Sequence, residues 1–499
     1  MKQLVPNYYV LEKSKKKSWL ATFTYPFFVI TWPFTFIIKR AITNVALGPD
    51  ELRLQKPVHL IFLTDDRSEN GTVIVNLVPG KANKEPQSYF TKMSPFAAKK
   101  KARQLSFANP KHKAYVDSMI DEIGHLLSGT SQQDKCLNKT FTIEDIQLKG
   151  LERLDEQLRN YFQKTVSQRF GQDFFDHPRF SSMNFFTLET ADRARLESVE
   201  VSTEQEKSKP IEERKFLISC MARNQNYMYW LKDFHVSAKN IGCTVVSFNY
   251  RGLDYSTGRA WTHDDIVNDT LAQAQRLMEL GVKPENIAFE GMSFGGAIAT
   301  ISAAKMHDNG FKVHLFNERS YRSLVRLMIG YIMPRSDSNP WNPLNWLKYL
   351  AVGLAYITVA PVIRLAGWHI DAASAWDRIP YTHKSYAVAR NHKNPEQYDD
   401  DEFVHDSYSS IASLMDQRRE EVKQKHKKGK ELSVGEQKLL SDDGGSHDFT
   451  LDRSDKLNTI SLPHSAPRRF MRDTARNEKT MHTYMIENLR EQLNIRPAL

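Results

Sequence analysis

From about residue 183 the chain alternates short apolar runs with amphipathic stretches. Met183 to Glu189 and Arg195 to Val201 read as a first strand pair. Phe216 to Met221, Thr244 to Tyr250, Ile287 to Glu290, Val313 to Phe316 and Ser385 to Ala389 read as later strands. Helical spacing fills the gaps: about Tyr227 to Asn240, about Asp264 to Leu280 with Gly281 as its stop, and a helix from near Ser293 to about His307. Strands alternating with helices predict an α/β domain over 181–460, with a mostly parallel sheet.

The pattern before residue 181 is different. Two β-rich runs between Val58 and Val78 flank Asn70-Gly71 and predict a hairpin, and helix-sized patterns cover Ala114 to Leu127 and Ile146 to Phe162. Together they predict an accessory α+β region over 46–180. The first 45 residues hold Trp19 to Ile38, an apolar stretch flanked by Lys13, Lys15, Lys16, Lys17, Lys39 and Arg40. Its length suits a membrane span, but Pro26 and Pro33 each break a helical ladder. It stands as a candidate membrane anchor or interfacial segment, or else as an apolar arm on the protein's own surface. A second apolar segment, Leu347 to Trp368, is interrupted by Pro361. A basic helical stretch follows around Arg418 to Lys430, and 461–499 reads as a polar tail ending in a helix.

Composition narrows the function classes. The 499 residues carry a net charge of +10, which favours anionic surroundings. The chain has neither zinc-ligand spacing nor a nucleic-acid-binding signature, so a membrane face is the preferred partner and nucleic acid is not expected. Three cysteines, Cys136, Cys220 and Cys243, give no disulfide framework, and no metal or cofactor is expected.

The chemistry gathers at Gly291-Met292-Ser293-Phe294-Gly295-Gly296, between a predicted strand and a small-residue helix. A sharp strand-to-helix turn there makes Ser293 the candidate nucleophile and lets the backbone N–H of Phe294 face an oxyanion. The acid and then the histidine should follow downstream. Asp401, in Asp401-Glu402-Phe403-Val404, is the favoured acid and Asp400 the runner-up. His447, in Gly444-Gly445-Ser446-His447-Asp448-Phe449, is the favoured base. The loop after Phe216 to Met221 offers Ala222 and Arg223 as second oxyanion donors, without the Gly-rich sequence often found there.

Asn249-Tyr250-Arg251-Gly252, Ser256-Thr257-Gly258 and the run from Gly281 into Gly291–Gly296 resemble the α/β-hydrolase superfamily. The resemblance implies an eight-stranded, mostly parallel sheet with helices on both faces, and a cap over the site at about 320–381. Asn317-Glu318-Arg319-Ser320-Tyr321-Arg322-Ser323-Leu324, with Gly367-Trp368 beyond, is similar to a narrower branch from Chlamydia and Legionella that includes the SidB/SdbA group of Dot/Icm-translocated effectors. That branch implies a bacterial protein, cytoplasmic before export and then delivered into a host cell. The expected activity is hydrolysis of an acyl ester or thioester, of a lipid in view of the apolar segments and basic surface. A non-catalytic membrane-associated scaffold and an acyltransferase are the alternatives.

Overall fold

The computed structural model describes residues 3–4, 58–62, 73–77, 105–127, 146–149, 151, 154–172, 174, 183–223, 225–254, 256–330, 343–390, 401, 403–404, 408–441, 447–451, 464, 468–473 and 479–495. The predicted anchor Trp19 to Ile38 therefore lies outside the described residues, as do Cys136, Asn224, Asp400 and Glu402.

Ahead of the main domain, β1 (Gln3–Leu4) joins the main sheet, while β2 (Val58–Phe62) and β3 (Val73–Leu77) pair antiparallel, as the hairpin reading expects. The helix expected from Ile146 divides. Ile146–Lys149 is β4, antiparallel to β2. The helical part starts ten residues later, because Asp155 caps the amide of Leu158 across the first turn. Helices α1 (Pro110–Leu127) and α2 (Glu156–Phe170) enclose an apolar cluster of their own around Val116, Ile120, Leu158 and Phe162, separate from the main core.

The main sheet has ten strands among the described residues. Its remaining members are β5 (Met183–Glu189), β6 (Arg195–Val201), β7 (Phe216–Cys220), β8 (Thr244–Phe248), β9 (Ile287–Met292), β10 (His314–Glu318), β11 (Lys384–Ala389), β12 (Asp448–Leu451) and β13 (Met471–Asp473). The order is β1-β5-β6-β8-β7-β9-β10-β11-β12-β13. From β8 to β12 every neighbour is parallel, whereas β6 runs antiparallel to both of its partners and β13 runs antiparallel to β12. Strands β7, β8, β10 and β11 are buried at every position, as a sheet covered on both faces requires.

The connecting helices are α3 (Leu231–Ile241), α4 (His263–Glu279) and α5 (Phe294–Asp308). Between β10 and β11 the insertion carries α6 (Leu324–Gly330), α7 (Pro343–Leu365) and α8 (Ala372–Arg378). After β11 come α9 (Ile411–Lys427), α10 (Val434–Ser441) and, at the end, α11 (Met481–Gln492). Two helix layers result: α3 packs with α11, and α4 and α8 pack with α5. The core they enclose runs from Met183 to Leu493 and includes the fully buried Trp368 and Trp376 from the insertion.

Candidate active site

Ser293 stands between β9 and α5 with φ 55° and ψ −118°. A positive φ at a non-glycine residue is strained, and here neighbouring backbone enforces it. The Ser293 amide donates to Glu318 O at 2.9 Å, which pins the turn to the last residue of β10, and Ser293 O accepts from Ala297 N at 3.2 Å. A β-carbon added to Gly295 would lie 2.1 Å from Cys220 O, so only glycine lets α5 start against the end of β7. A β-carbon on Gly291 would likewise meet the Gly295 carbonyl at 2.4 Å. The spacing of the motif is thus a packing requirement.

The same close approach places the oxyanion candidates. Phe294 opens α5, where first-turn amides have no helical carbonyl to bond. The loop of Met221, Ala222 and Arg223 passes beside Gly295, and Tyr250 Oη donates to Met221 O at 3.1 Å. Ala222 is buried and Arg223 is exposed. The Tyr250 and Phe294 rings meet edge to face at 5.9 Å, which further ties this loop region to the elbow.

Asp401 is fixed at the carboxyl end of β11. Its amide donates to Ala389 O at 3.2 Å, and its Oδ1 accepts from the amides of Phe403 at 2.9 Å and Val404 at 2.8 Å. Its Oδ2 lies 2.7 Å from His464 Nδ1, and both side chains are almost fully buried. The Phe403 ring meets the imidazole edge-on at 5.2 Å. Ser293 and Asp401 therefore stand at the same sheet edge, past the carboxyl ends of β9 and β11, two strands that lie about 10 Å apart at ordinary spacing with β10 between them.

The histidine that meets this acid is His464, whereas His447, the base expected from the sequence, packs on Tyr386. His447 immediately precedes β12 instead of following it. Its ring stacks on Tyr386 at 4.2 Å, its Nδ1 lies 3.1 Å from Tyr386 O, and Tyr484 Oη also meets that nitrogen. It lines a cavity of about 290 Å³ with His314, Trp376, Tyr381 and Lys384, the last being the first residue of β11. The physical reason is local: Phe449, Thr450 and Leu451 pair with β13, so the glycine-rich run leads into a strand. Two histidines follow the final parallel strand, His464 and His482, and His464 is the one that meets Asp401.

Beneath the elbow lies a charged network that the sequence did not suggest. Glu290 accepts from Ser219 Oγ at 2.7 Å and from Arg468 Nη2 at 2.8 Å. Arg468 also bonds Glu318 through Nε, and Arg319 donates from Nε to Glu318 at 3.0 Å. Burial alone would raise the Glu318 carboxyl, but Arg468 and Arg319 outweigh it and hold the group below the usual carboxylate range. Arg319 Nη2 reaches Met292 Sδ at 3.2 Å, next to the nucleophile candidate. Among the described residues no cluster of three His, Cys, Asp or Glu side chains could hold a metal ion.

Eight strands in the order β5-β6-β8-β7-β9-β10-β11-β12, one of them antiparallel, with a strained serine at the β9–α5 turn, decide the architecture. The chain has the α/β-hydrolase fold. No protein-family model and no curated protein matches it. Among solved structures it is similar to an α/β hydrolase from Vibrio vulnificus, at 14% identity over 44% of this chain and 65% of that one, TM-score 0.29. It is also similar to a Pyrococcus furiosus esterase (14% identity, 42% and 70% covered, TM-score 0.28) and to an acetyl xylan esterase from Paenibacillus sp. R4 (15%, 43% and 70%, TM-score 0.30). The chain spans just under two thirds of the Vibrio protein's length. The fold assignment rests on strand order and on the elbow, not on these likenesses. None of the three supports the narrower Chlamydia and Legionella placement.

Proposed function

We propose that this α/β-hydrolase-fold protein is a serine hydrolase of carboxylic acyl esters, with Ser293 as nucleophile, His464 as base and Asp401 as the group that orients it. The observation that carries the reading is the Asp401–His464 pair on the sheet edge that bears the strained Ser293. With Nδ1 held at the carboxylate, the imidazole presents Nε2 to accept the Ser293 proton. Ser293 Oγ then adds to the ester carbonyl, and His464 returns the proton to the departing alkoxide. Water repeats the cycle on the acyl-Ser293 intermediate and releases the acid. The Phe294 amide supplies one oxyanion donor, and the backbone at Ala222 or Arg223 supplies the second.

A lipid ester is the substrate class that fits best, because the insertion between β10 and β11 carries the apolar helix α7. Lysophospholipids, phospholipids and protein-linked acyl chains all belong to that class. A fluorophosphonate probe tests the chemistry: it should label the wild type at Ser293 and leave Ser293→Ala unlabelled. No labelling of the wild type, or equal labelling of both, would sink the proposal. A catalytically silent scaffold is the second reading, favoured by the loop Met221-Ala222-Arg223 in place of a Gly-rich oxyanion loop. Acyl transfer through the same intermediate is distinguished by product analysis with alcohol acceptors. Delivery into a host cell, which the narrower resemblance implies, is read by a translocation reporter fused to the chain.

A further inference from the structure

Helix α7 is apolar on the wrong side. One face packs inward through the buried Ala360, Ile363 and Ala366. The opposite face carries Leu347, Leu350, Leu354, Ile357 and Leu365, which are 62%, 63%, 58%, 71% and 77% exposed. Those positions follow steps of three and four residues, with the exposed Pro361 between the last two, so they form one continuous stripe. Single exposed leucines are ordinary. Five exposed large apolar side chains aligned in one stripe are instead the mark of an interaction surface.

The charge of the helix says what the stripe meets. Its 23 residues contain no Asp or Glu, and its ionisable bases are Lys348 and Arg364. The exposed Arg364 sits at the edge of the stripe, and the whole chain carries +10. No helix among the described residues is long and apolar enough to cross a membrane, and the inward face of α7 is already occupied by the protein. A helix of about 34 Å with one face packed and the other apolar is suited to lying in an interface plane. Moreover, the insertion leaves the sheet after Glu318, at the carboxyl edge shared with Ser293 and Asp401.

We propose that α7 is a monotopic docking element that seats the protein on an anionic lipid bilayer, with the stripe from Leu347 to Leu365 sunk to the acyl boundary. The inference deepens the lipid-ester reading, since it names the surface from which such a substrate would be taken. A second copy of the chain, or an apolar segment of this one, is the competing occupant.

The test uses the full chain in a Cys136→Ser background, in which Cys220 and Cys243 are buried and Leu354→Cys carries an environment-sensitive fluorophore. Vesicles of phosphatidylcholine with 30% phosphatidylserine, by mole, are the probe (about a third anionic lipid, enough for a strong negative surface potential). The expected result is a blue shift on adding vesicles, weaker in pure phosphatidylcholine and abolished by Leu350→Glu with Ile357→Glu. No shift with either vesicle would overturn the proposal. A blue shift already present without vesicles would also overturn it, whether rising with protein concentration (a second copy) or independent of it (a segment of the same chain). Hydrolysis of a short water-soluble ester by Leu350→Glu/Ile357→Glu is measured alongside. Retained turnover with lost vesicle binding locates the effect at docking, whereas loss of soluble turnover in the wild type itself concerns the catalytic reading alone.

Discussion

His464 Nδ1 lies 2.7 Å from Asp401 Oδ2, while the other oxygen of that carboxylate is held by the amides of Phe403 and Val404. The carboxylate is thus immobilised by its own loop before it touches the imidazole. One oxygen is committed to backbone and the other is left for His464, so the ring has a single orientation in which both partners are satisfied.

Asp401→Asn keeps this geometry and removes the charge. The amide oxygen can still accept from Phe403 and Val404, but the side chain no longer stabilises an imidazolium or selects the tautomer. Ester turnover is expected to fall by about 10³–10⁴ in kcat, with the thermal midpoint little changed. Steady-state kinetics beside a melting curve separate the two effects, and a large drop in melting temperature would reassign Asp401 to a structural role.

Arg468→Met takes from the buried Glu290 its Arg468 partner and leaves Glu318 to Arg319 alone. Removing one partner of a buried ion pair costs about 3–5 kcal/mol. Denaturant unfolding should show that loss, whereas Arg469→Met should cost no more than about 0.5 kcal/mol, as is usual for an exposed position. Equal effects would show that the network contributes nothing beyond surface charge.

Burial, with the neighbouring His383 charge adding to it, lowers His314 from 6.5 to about 4. The unfolded chain takes up this proton near pH 6.5 and the folded chain only near pH 4, so stability falls as pH drops through that window. The contribution is on the order of 3 kcal/mol. Unfolding free energies measured at pH 7.5 and pH 4.5 should differ less in His314→Gln than in the wild type. An unchanged slope would contradict the assignment of His314 as a buried neutral imidazole.

How far the sequence reaches can be judged element by element. Strands β5 to β11 were readable because each is a compact apolar run bounded by turn or charged residues, as at Phe216–Cys220 and Thr244–Phe248. Ser293 was readable because its glycines answer a backbone contact that any such turn must make. His464 was not, because β12 is four residues long and begins with an aspartate, so its pattern does not announce a strand. Without that strand in its pattern, the chain does not show that the histidine meeting Asp401 lies one loop beyond His447. Ile146–Lys149 failed for the converse reason: four residues of mixed character beside a helix take their state from the edge of β2, not from their own period. The Glu290–Arg468 pair joins positions 178 residues apart, a contact that no local pattern carries.

The central claim is that His464, and not His447, serves Ser293. The most direct measurement is kcat/KM for a p-nitrophenyl ester in His464→Ala and His447→Ala, made side by side with circular dichroism to confirm folding. Loss of the triad base is expected to cost about 10⁴–10⁶ in His464→Ala. His447→Ala, which removes the stacking on Tyr386 and the contacts with Tyr386 O and Tyr484 Oη, should stay within about tenfold of the wild type. Near-normal turnover in His464→Ala with turnover abolished in His447→Ala would contradict it.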